Sequence, residues 1–436
     1  MLKVLKFGGT SMADAAQFQK IKAIVDAEEG RDAIIVSAPG KRFKDDHKVT
    51  DLLYLCHAHL QYGVSCDGVF GMVRDRYLTI KHALGLKVNI EAAFDALREK
   101  MRRGISQDEL ASRGEYFAAM LMADYLGFDF VDAKDWLYFN LDGTVDEEKS
   151  YSTLASIAKG RRIVTPGFYG LMPDGSIRTF TRGGSDITGA LVAAALDADV
   201  YENWTDVSGI LIADPRIVEN PAAIAHVTYA ELRELSYAGA QVLHEGTIMP
   251  VRVKNIPVNI RNTNDPSHPG TIISERFEDG ESPNFITGIA GRKGFTIITV
   301  NKAGISSKVG ALRRILELFE SFGVSVEYLP AGIDSYSFVV SLEKSGADIC
   351  LIRNELEKKV KPDEIRVTEN IAVIAAVGRQ MANRLGTSGR IFKALGDNGI
   401  NIRMISQGPE ELNIIVGVDE ADFCEAIRVL YNSFVK

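Results

Sequence analysis

Apolar and polar positions along the chain follow two rhythms. Val4-Leu5-Lys6-Phe7 and Ala33-Ile34-Ile35-Val36 are short apolar runs that predict strands. Between them, Ala15, Phe18, Ile21, Ala23, Ile24 and Val25 fall on one face of a helix. Phe128 to Val131, Arg162 to Thr165 and Pro257 to Ile260 continue the strand series. Residues 51 to about 126 are mostly helical, and Ser106 with Glu109 forms a capping box. Strands that are apolar throughout and separated by helices predict a mainly parallel sheet covered on both faces, a three-layer αβα sandwich of the α/β class. One hairpin interrupts it, with Pro173-Asp174-Gly175 turning between Phe168-Tyr169-Gly170 and Ile177-Arg178-Thr179-Phe180.

The texture changes beyond Asn264-Asp265-Pro266-Ser267-His268-Pro269-Gly270, and residues 274 to 283 read as a polar linker. After it the chain repeats itself. Gly323-Val324-Ser325-Val326 recurs as Gly399-Ile400-Asn401-Ile402, and the same spacing aligns Gly310 with Gly386, Ile315 with Ile391, Gly332 with Gly408, and Phe338-Val339-Val340 with Ile414-Ile415-Val416. Leu312, Ile315, Leu316 and Phe319 mark an amphipathic helix. Each copy reads strand, helix, strand, turn, strand, helix, the order of a ferredoxin-like βαββαβ module. The expected division is therefore residues 1–280 and residues 281–436, with modules at about 295–364 and 365–436.

Composition narrows the class. Of 436 residues 46% are apolar, which is enough for full cores, and 50 basic against 58 acidic residues give a formal charge of -8. That balance, without a basic stripe, argues against a nucleic-acid partner. Cys56, Cys66, Cys350 and Cys424 are scattered, without metal-binding spacing, and read as free thiols. No apolar run is long enough for a membrane span, and the chain enters a strand at once, so a soluble cytoplasmic protein is expected.

Two glycine loops carry the candidate chemistry. Lys6-Phe7-Gly8-Gly9-Thr10-Ser11 follows the first strand, and Lys6 stands at its carboxyl end, where open α/β sheets bind ligands. Gly8 and Gly9 let backbone N–H groups approach phosphate oxygens; the plain alternative is a tight turn beside a solvated lysine. Thr181-Arg182-Gly183-Gly184-Ser185-Asp186 opens the apolar helix from Ile187 to Leu196. Ser185 or Asp186 suits its N-cap, and Arg182 offers a fork for a carboxylate. Glu115, beside Gly114 in a helical stretch, reads on its own as a solvated charge. Trp204-Thr205-Asp206-Val207-Ser208-Gly209 and Asp214-Pro215-Arg216 suit the rim of a nucleotide site. Lys41 to Lys48 reads as a mobile, solvated loop suited to a lid. No Walker-type loop is present.

Taken together, these segments resemble the aspartate kinases of the amino-acid-kinase family. The resemblance covers essentially the whole chain. It implies an amino-acid-kinase-like sandwich followed by two ACT modules, the first nested in the second, with the chain near Phe285 to Ile289 completing the second. It implies catalytic roles for Lys6 and Asp186, and substrate contacts at Thr50, Glu115, Arg182 and Ser185. Lys6, Gly8, Gly9, Thr205, Asp206, Asp214 and Arg216 fall at nucleotide positions. ATP with Mg2+ is the expected cofactor, without a metal site of the protein's own. Two departures stand out. Gln241 replaces a family lysine that helps hold ATP, and Leu211 replaces a tyrosine.

A carboxylate nucleophile is already ionised at neutral pH, so no general base is required. The implied reaction is phosphorylation of the L-aspartate side chain to 4-phospho-L-aspartate, the first step of lysine, threonine and methionine biosynthesis. Alternatives are a sibling kinase acting on glutamate and a catalytically weak amino-acid sensor. The repeats imply feedback by an amino acid, L-lysine first and threonine second, and a homodimer or homotetramer built through the ACT modules. The expected effector pocket lies where the helix beginning near Lys308 meets the strand Val324-Ser325-Val326-Glu327. There Gly310, Ser325 and Val326 meet the effector, and Glu327 faces an ammonium group.

Overall fold

The computed structural model describes residues 1–181, 183–240, 243, 245–276, 286–343, 345–379, 381, 385–408 and 410–435. Arg182, Gln241, Phe285 and most of the expected linker lie outside them. In chain order the first elements are β1 (Lys3–Phe7), α1 (Ala15–Asp26), β2 (Arg31–Val36), α2 (Val49–Gln61), α3 (Asp67–Leu84), α4 (Ile90–Arg103), α5 (Gln107–Leu126), β3 (Asp129–Phe130), α6 (Glu147–Ala158), β4 (Ile163–Pro166), β5 (Tyr169–Leu171), β6 (Ile177–Thr179), α7 (Gly184–Ala195) and β7 (Val200–Thr205). They are followed by β8 (His226–Thr228), α8 (Tyr229–Tyr237), α9 (Glu245–Val253), β9 (Val258–Asn262) and β10 (Thr271–Ser274). The C-terminal part holds β11 (Gly288–Asn301), α10 (Ala311–Ser321), β12 (Val326–Tyr328), β13 (Ser335–Val340), α11 (Ile349–Val360), β14 (Glu364–Val377), α12 (Thr387–Asp397), β15 (Ile402–Ser406), β16 (Asn413–Asp419) and α13 (Phe423–Phe434).

The chain divides into two compact units. One comprises Met1–Ile210, Ala225–Tyr229 and Leu243–Glu278; the other comprises Leu211–Ile224, Ala230–Val242 and Asp279–Lys436. The second unit therefore takes in two stretches that precede residue 280.

The first unit is built on an eight-stranded sheet in the order β3-β4-β2-β1-β7-β9-β10-β8. Neighbours are parallel except β9 and β10, so the mainly parallel α/β expectation holds. Leu5, Phe7, Ile34, Val36 and Trp204 turn one face into a core shared with α1 to α5, where Phe94 stacks on Phe117 at 4.1 Å. On the opposite face α7 packs over β1, β2 and β7, with α6 and α9 against it. Ser106 caps α5 by accepting a hydrogen bond from the Glu109 N–H at 3.1 Å. The hairpin forms as β5 and β6, with Tyr169 opposite Thr179. β8 and β10 were not expected; they are three and four residues long, too short to show a period.

The second unit holds a six-stranded sheet in the order β12-β13-β11-β14-β16-β15. β11 and β14, 14 residues each, run through both repeats, and the register of β11 slips between Arg292 and Ile297. The later half of β11, α10, β12, β13, α11 and the first half of β14 make one βαββαβ copy. The later half of β14, α12, β15, β16 and α13 make the other, whose fourth strand is Gly288–Arg292 of β11, paired with Val373–Val377. Ile298, Val300, Ile315, Phe319, Phe338, Val340, Ile352 and Leu356 fill the core of the first copy. The duplication persists in detail: Gly310 (φ 77) and Gly386 (φ 83) cap α10 and α12 in the same left-handed conformation. Ala230 to Tyr237 of α8 fasten to this unit through polar contacts, with Thr287 donating to the fully buried Glu231 and Asn413 donating to Glu234, both at 2.5 Å. Among the described residues no helix is long and apolar enough to cross a membrane.

Ile315 and Ile391 occupy equivalent places in the two copies, and both are buried. Ile315→Ala and Ile391→Ala should each destabilise the second unit by about 2–5 kcal/mol in urea unfolding. A loss below about 1 kcal/mol in either variant would show that its helix is not packed as described.

Candidate active site

The site begins with strand register. On β1 and β7, Lys6 lies opposite Asn203 and Phe7 opposite Trp204. Side chains alternate across a strand, so Lys6 and Asn203 share the face covered by α7. Asp186, in the first turn of α7, meets Lys6 there at 2.6 Å. Lys6 is only 7% exposed, so its charge depends on that carboxylate. Asn203 joins both groups, donating to Asp186 Oδ1 at 2.9 Å and accepting from Lys6 Nζ at 3.4 Å. Tyr201 donates to the Asp186 backbone carbonyl at 3.2 Å.

The glycine loop after β1 is held by backbone contacts. Gly8 N–H donates to the Trp204 carbonyl at 3.0 Å, so that donor is already used within the sheet. Gly9 accepts from Gly40 N–H at 2.7 Å. A Cβ on Gly9 would stand 3.0 Å from the Ala38 carbonyl, and one on Gly40 would stand 2.7 Å from the Gly9 carbonyl carbon. These glycines are therefore required by the close approach of two loops, independently of any phosphate. The second loop, Ser37 to Gly40, also accepts from Val49 N–H at the start of α2 through Pro39. That contact sets the first turn of α2, where Thr50 is half-buried.

The loop from Lys41 to Lys48 departs from expectation. Asp46 is buried, and Arg76 of α3 binds both its carboxylate oxygens at 2.9 and 2.8 Å. Arg76 also donates to the Gly40 carbonyl at 3.0 Å, and Arg42 meets Asp46 at 2.8 Å. Hydrogen bonds from Arg42 hold the Asp46 carboxyl far below the usual carboxylate range. The run is thus anchored at its centre by a buried ion pair rather than solvated throughout.

Glu115 departs as well. It is 5% exposed, and Oε2 is buried with no hydrogen-bond partner among the described residues. A Cβ on Gly114 would lie 2.8 Å from Ala38 Cβ, so α5 approaches the Ser37–Gly40 loop closely. Burial pushes the Glu115 carboxyl up to about 8, against the pull of backbone N–H groups and Arg113. A buried acid with an unused oxygen suits a small cationic partner.

At α7 the N-cap is Gly183, in the left-handed conformation (φ 58), and neither Ser185 nor Asp186 caps the helix. A Cβ on Gly183 would lie 2.7 Å from Thr247 of α9, and one on Gly167 would lie 2.8 Å from Ser185 Oγ. The whole first turn is therefore wedged in place. Phe168, the residue after Gly167, holds φ at 83, a costly conformation for a side-chain-bearing residue, and a Cβ on Gly184 would meet its ring at 2.7 Å.

Thr205 ends β7 and Asp206 follows it, with Thr205 Oγ1 3.3 Å from Asp206 Oδ1 and the Thr205 carbonyl accepting from Thr263 N–H at 2.8 Å. Lys6, Gly8, Gly9, Thr50, Glu115, Ser185, Asp186, Thr205 and Asp206 all belong to the first unit. Asp214 and Arg216 belong to the second, where they bind each other at 2.6 Å. In the second unit Ser325 is exposed beside β12, and Gly310 caps α10. Glu327 accepts from Arg292 at 3.0 Å, so its charge is engaged within the unit. Sequence reasoning passed over Asn203, Arg76 and Asp46. A polar pair, Glu202-Asn203, inside an otherwise apolar strand was the one available signal.

Comparison with known proteins agrees with this geometry. The profile of the amino acid kinase family matches residues 1–262, and an ACT domain profile matches residues 374–434. Aspartokinase 3 of Bacillus subtilis is 37% identical, over 99% of this chain and 98% of its own length. The chain belongs to the aspartokinases of the amino acid kinase family. The aspartate kinase of Clostridium acetobutylicum superimposes with a TM-score of 0.91 at 46% identity, covering 99% of both chains. Aspartokinase III of E. coli, solved with lysine and aspartate in a T-state, superimposes with a TM-score of 0.72 at 25% identity and full coverage of both chains. Membership places this chain among ATP-dependent kinases.

The raised Glu115 carboxyl has a consequence for this aspartokinase without ligands. The unfolded chain ionises Glu115 near 4.5, whereas the folded chain keeps the proton until about 8. Stability therefore falls as pH rises through that window, by about 1.4 kcal/mol per pH unit for this group. Glu115→Gln should remove that slope, so that the variant gains on the parent in thermal unfolding between pH 5 and pH 8. Parallel curves for the two proteins would show that Glu115 is charged or solvated in the folded state.

Proposed function

We propose that this aspartokinase transfers the γ-phosphoryl group of ATP to the side-chain carboxylate of L-aspartate, giving 4-phospho-L-aspartate. The observation that carries the reading is the pair of buried, incompletely engaged ionisable groups in one unit: Lys6 at the carboxyl end of β1, and Glu115, with an oxygen unused, which an arriving ammonium would ionise. Lys6 suits phosphate and Glu115 suits an amino-acid ammonium. The relatives named above support the choice of aspartate.

Charge dictates the mechanism. The attacking carboxylate needs no base, but it must approach a polyanion. Two like unit charges 4 Å apart repel by roughly 4 kcal/mol at an effective dielectric of 20. Catalysis therefore consists of positioning and placed positive charge. Lys6 supplies that charge, and Asp186 orients Lys6 rather than removing a proton. Arg182 clamps the α-carboxylate, Glu115 takes the ammonium, and Thr50 and Ser185 complete the aspartate contacts. Gly8, Gly9, Thr205 and Asp206 serve the nucleotide. Mg2+ would arrive on the nucleotide phosphates, where it supplies further positive charge. Among the described residues no three His, Cys, Asp or Glu side chains stand together as a metal cage.

The repeats serve as sensors in this reading, with L-lysine as effector and threonine as the alternative, at a seam between copies in a homodimer or homotetramer. Backbone groups at Gly310 and Val326, with Ser325 nearby, hold the α-substituents. Glu327 reaches an effector ammonium only by exchanging it for Arg292.

Two experiments test the proposal. With Mg-ATP and L-aspartate the protein should release ADP and form a hydroxylamine-trappable acyl phosphate, and Lys6→Met should lower kcat by about 10² or more. A hydroxamate yield with glutamate but none with aspartate would reassign the substrate, and near-normal turnover of Lys6→Met would remove the charge argument. Lysine and threonine titrated into the same assay should shift aspartate affinity or turnover by about 5- to 150-fold. Indifference to both at millimolar levels ends the sensor reading.

A further inference from the structure

We propose that Asn203 is a positioning residue for phosphoryl transfer, holding the Lys6–Asp186 pair in the arrangement that leaves one Lys6 N–H for the phosphate. The inference rests on the reading of Lys6 as the phosphate-stabilising cation.

Asn203 lies on β7, in the middle of the sheet, and is 3% exposed. Asparagine is depleted from strands, and a buried amide is costly unless its polar ends are satisfied. Here register sets it opposite Lys6 on the same face, and both ends are used: Nδ2 donates to Asp186 Oδ1 at 2.9 Å, and Oδ1 accepts from Lys6 Nζ at 3.4 Å. The orientation of the amide follows from its neighbours. An ammonium only donates and a carboxylate only accepts, so one of the two amide flips satisfies both and the other satisfies neither.

Other residues of similar size fail this position for stated reasons. Leucine fills the volume and offers no polar atom. Aspartate offers two acceptors and sets a second negative charge against Asp186. Glutamine is one methylene longer, and serine is too short to span the pair. A neutral side chain carrying one donor and one acceptor fits the gap between opposite charges.

The consequence for Lys6 is geometric. Its ammonium carries three N–H bonds. Asp186 takes one at 2.6 Å, and Asn203 takes a second through the longer contact. Two directions are thereby fixed on the protein side, and the third is left for a phosphate oxygen. Tyr201 hydrogen-bonds the backbone carbonyl of Asp186 and leaves its carboxylate to Lys6 and Asn203.

The test uses Asn203→Leu and Asn203→Asp in the full chain, assayed for hydroxamate and ADP over a range of aspartate and ATP concentrations, with thermal midpoints measured in parallel. Asn203→Leu should lower kcat by about 10- to 100-fold, the range found when the partner that orients an active-site group is removed. KM for aspartate and ATP should stay within about twofold, since ground-state contacts are untouched. Asn203→Asp, nearly isosteric, should lower kcat at least as far, and its thermal midpoint shows whether it folds. Turnover within about twofold of the parent in both variants would overturn the inference. So would a fall in kcat that tracks a lowered thermal midpoint and comes with a matching rise in KM for aspartate and ATP. A parent chain inactive with aspartate would instead remove the underlying reading, and the inference with it.

Discussion

A lysine ammonium at the end of a central strand, almost wholly removed from water, is the constraint around which the first unit is arranged. Desolvating a cation is tolerable only where an anion and hydrogen-bond acceptors replace the lost water. Asp186 supplies the anion, and it does so from a helix start wedged by missing side chains at Gly167, Gly183 and Gly184. Parallel pairing of β1 with β7 fixes the height of Lys6 against its partners. A slip of one residue would carry Lys6 to the opposite face, among Phe7, Trp204 and the helical core.

A second junction depends on the first. The Ser37–Gly40 loop touches the glycine loop, the start of α2 and the helix that carries Glu115. Arg76 gathers Gly40 and Asp46 into one buried cluster from a helix that carries no candidate chemistry of its own. The first glycine loop, the Ser37–Gly40 loop and the buried acid are thus held by backbone contacts and by ion pairs behind them. Precision of this kind resides in the supporting residues as much as in those that would touch a ligand.

What could be read from the sequence follows physical range. Strand and helix periods, the hairpin turn and the capping box are local, and they were legible. The duplication was legible because one spacing holds from Gly310–Gly386 through Val340–Val416. Lys6 and Asp186 were singled out by their glycine loops, although their contact at 2.6 Å spans 180 positions of chain. Burial of Glu115 was not legible, because the helix that carries it shows no polar stripe to say which side faces water. Arg76 and Asp46 look like ordinary surface charges, and only the fold brings them together. β8 and β10 escaped because strands of three or four residues depend on their neighbours for stability rather than on their own pattern. Glu327 was read as waiting for a partner, and Arg292, from a different strand, already holds it.

The two long strands of the second unit bear on how such a regulatory half can arise and change. The two copies share both long strands, but only the later copy is discontinuous: its fourth strand is laid down before the earlier copy begins, and the earlier copy follows as one unbroken stretch. The earlier copy is thus an insert within the later one. A cut between them leaves the later copy without its fourth strand, whereas the earlier copy keeps all four of its own. The later repeat, although it is half of a duplication, can therefore be moved only together with its neighbour.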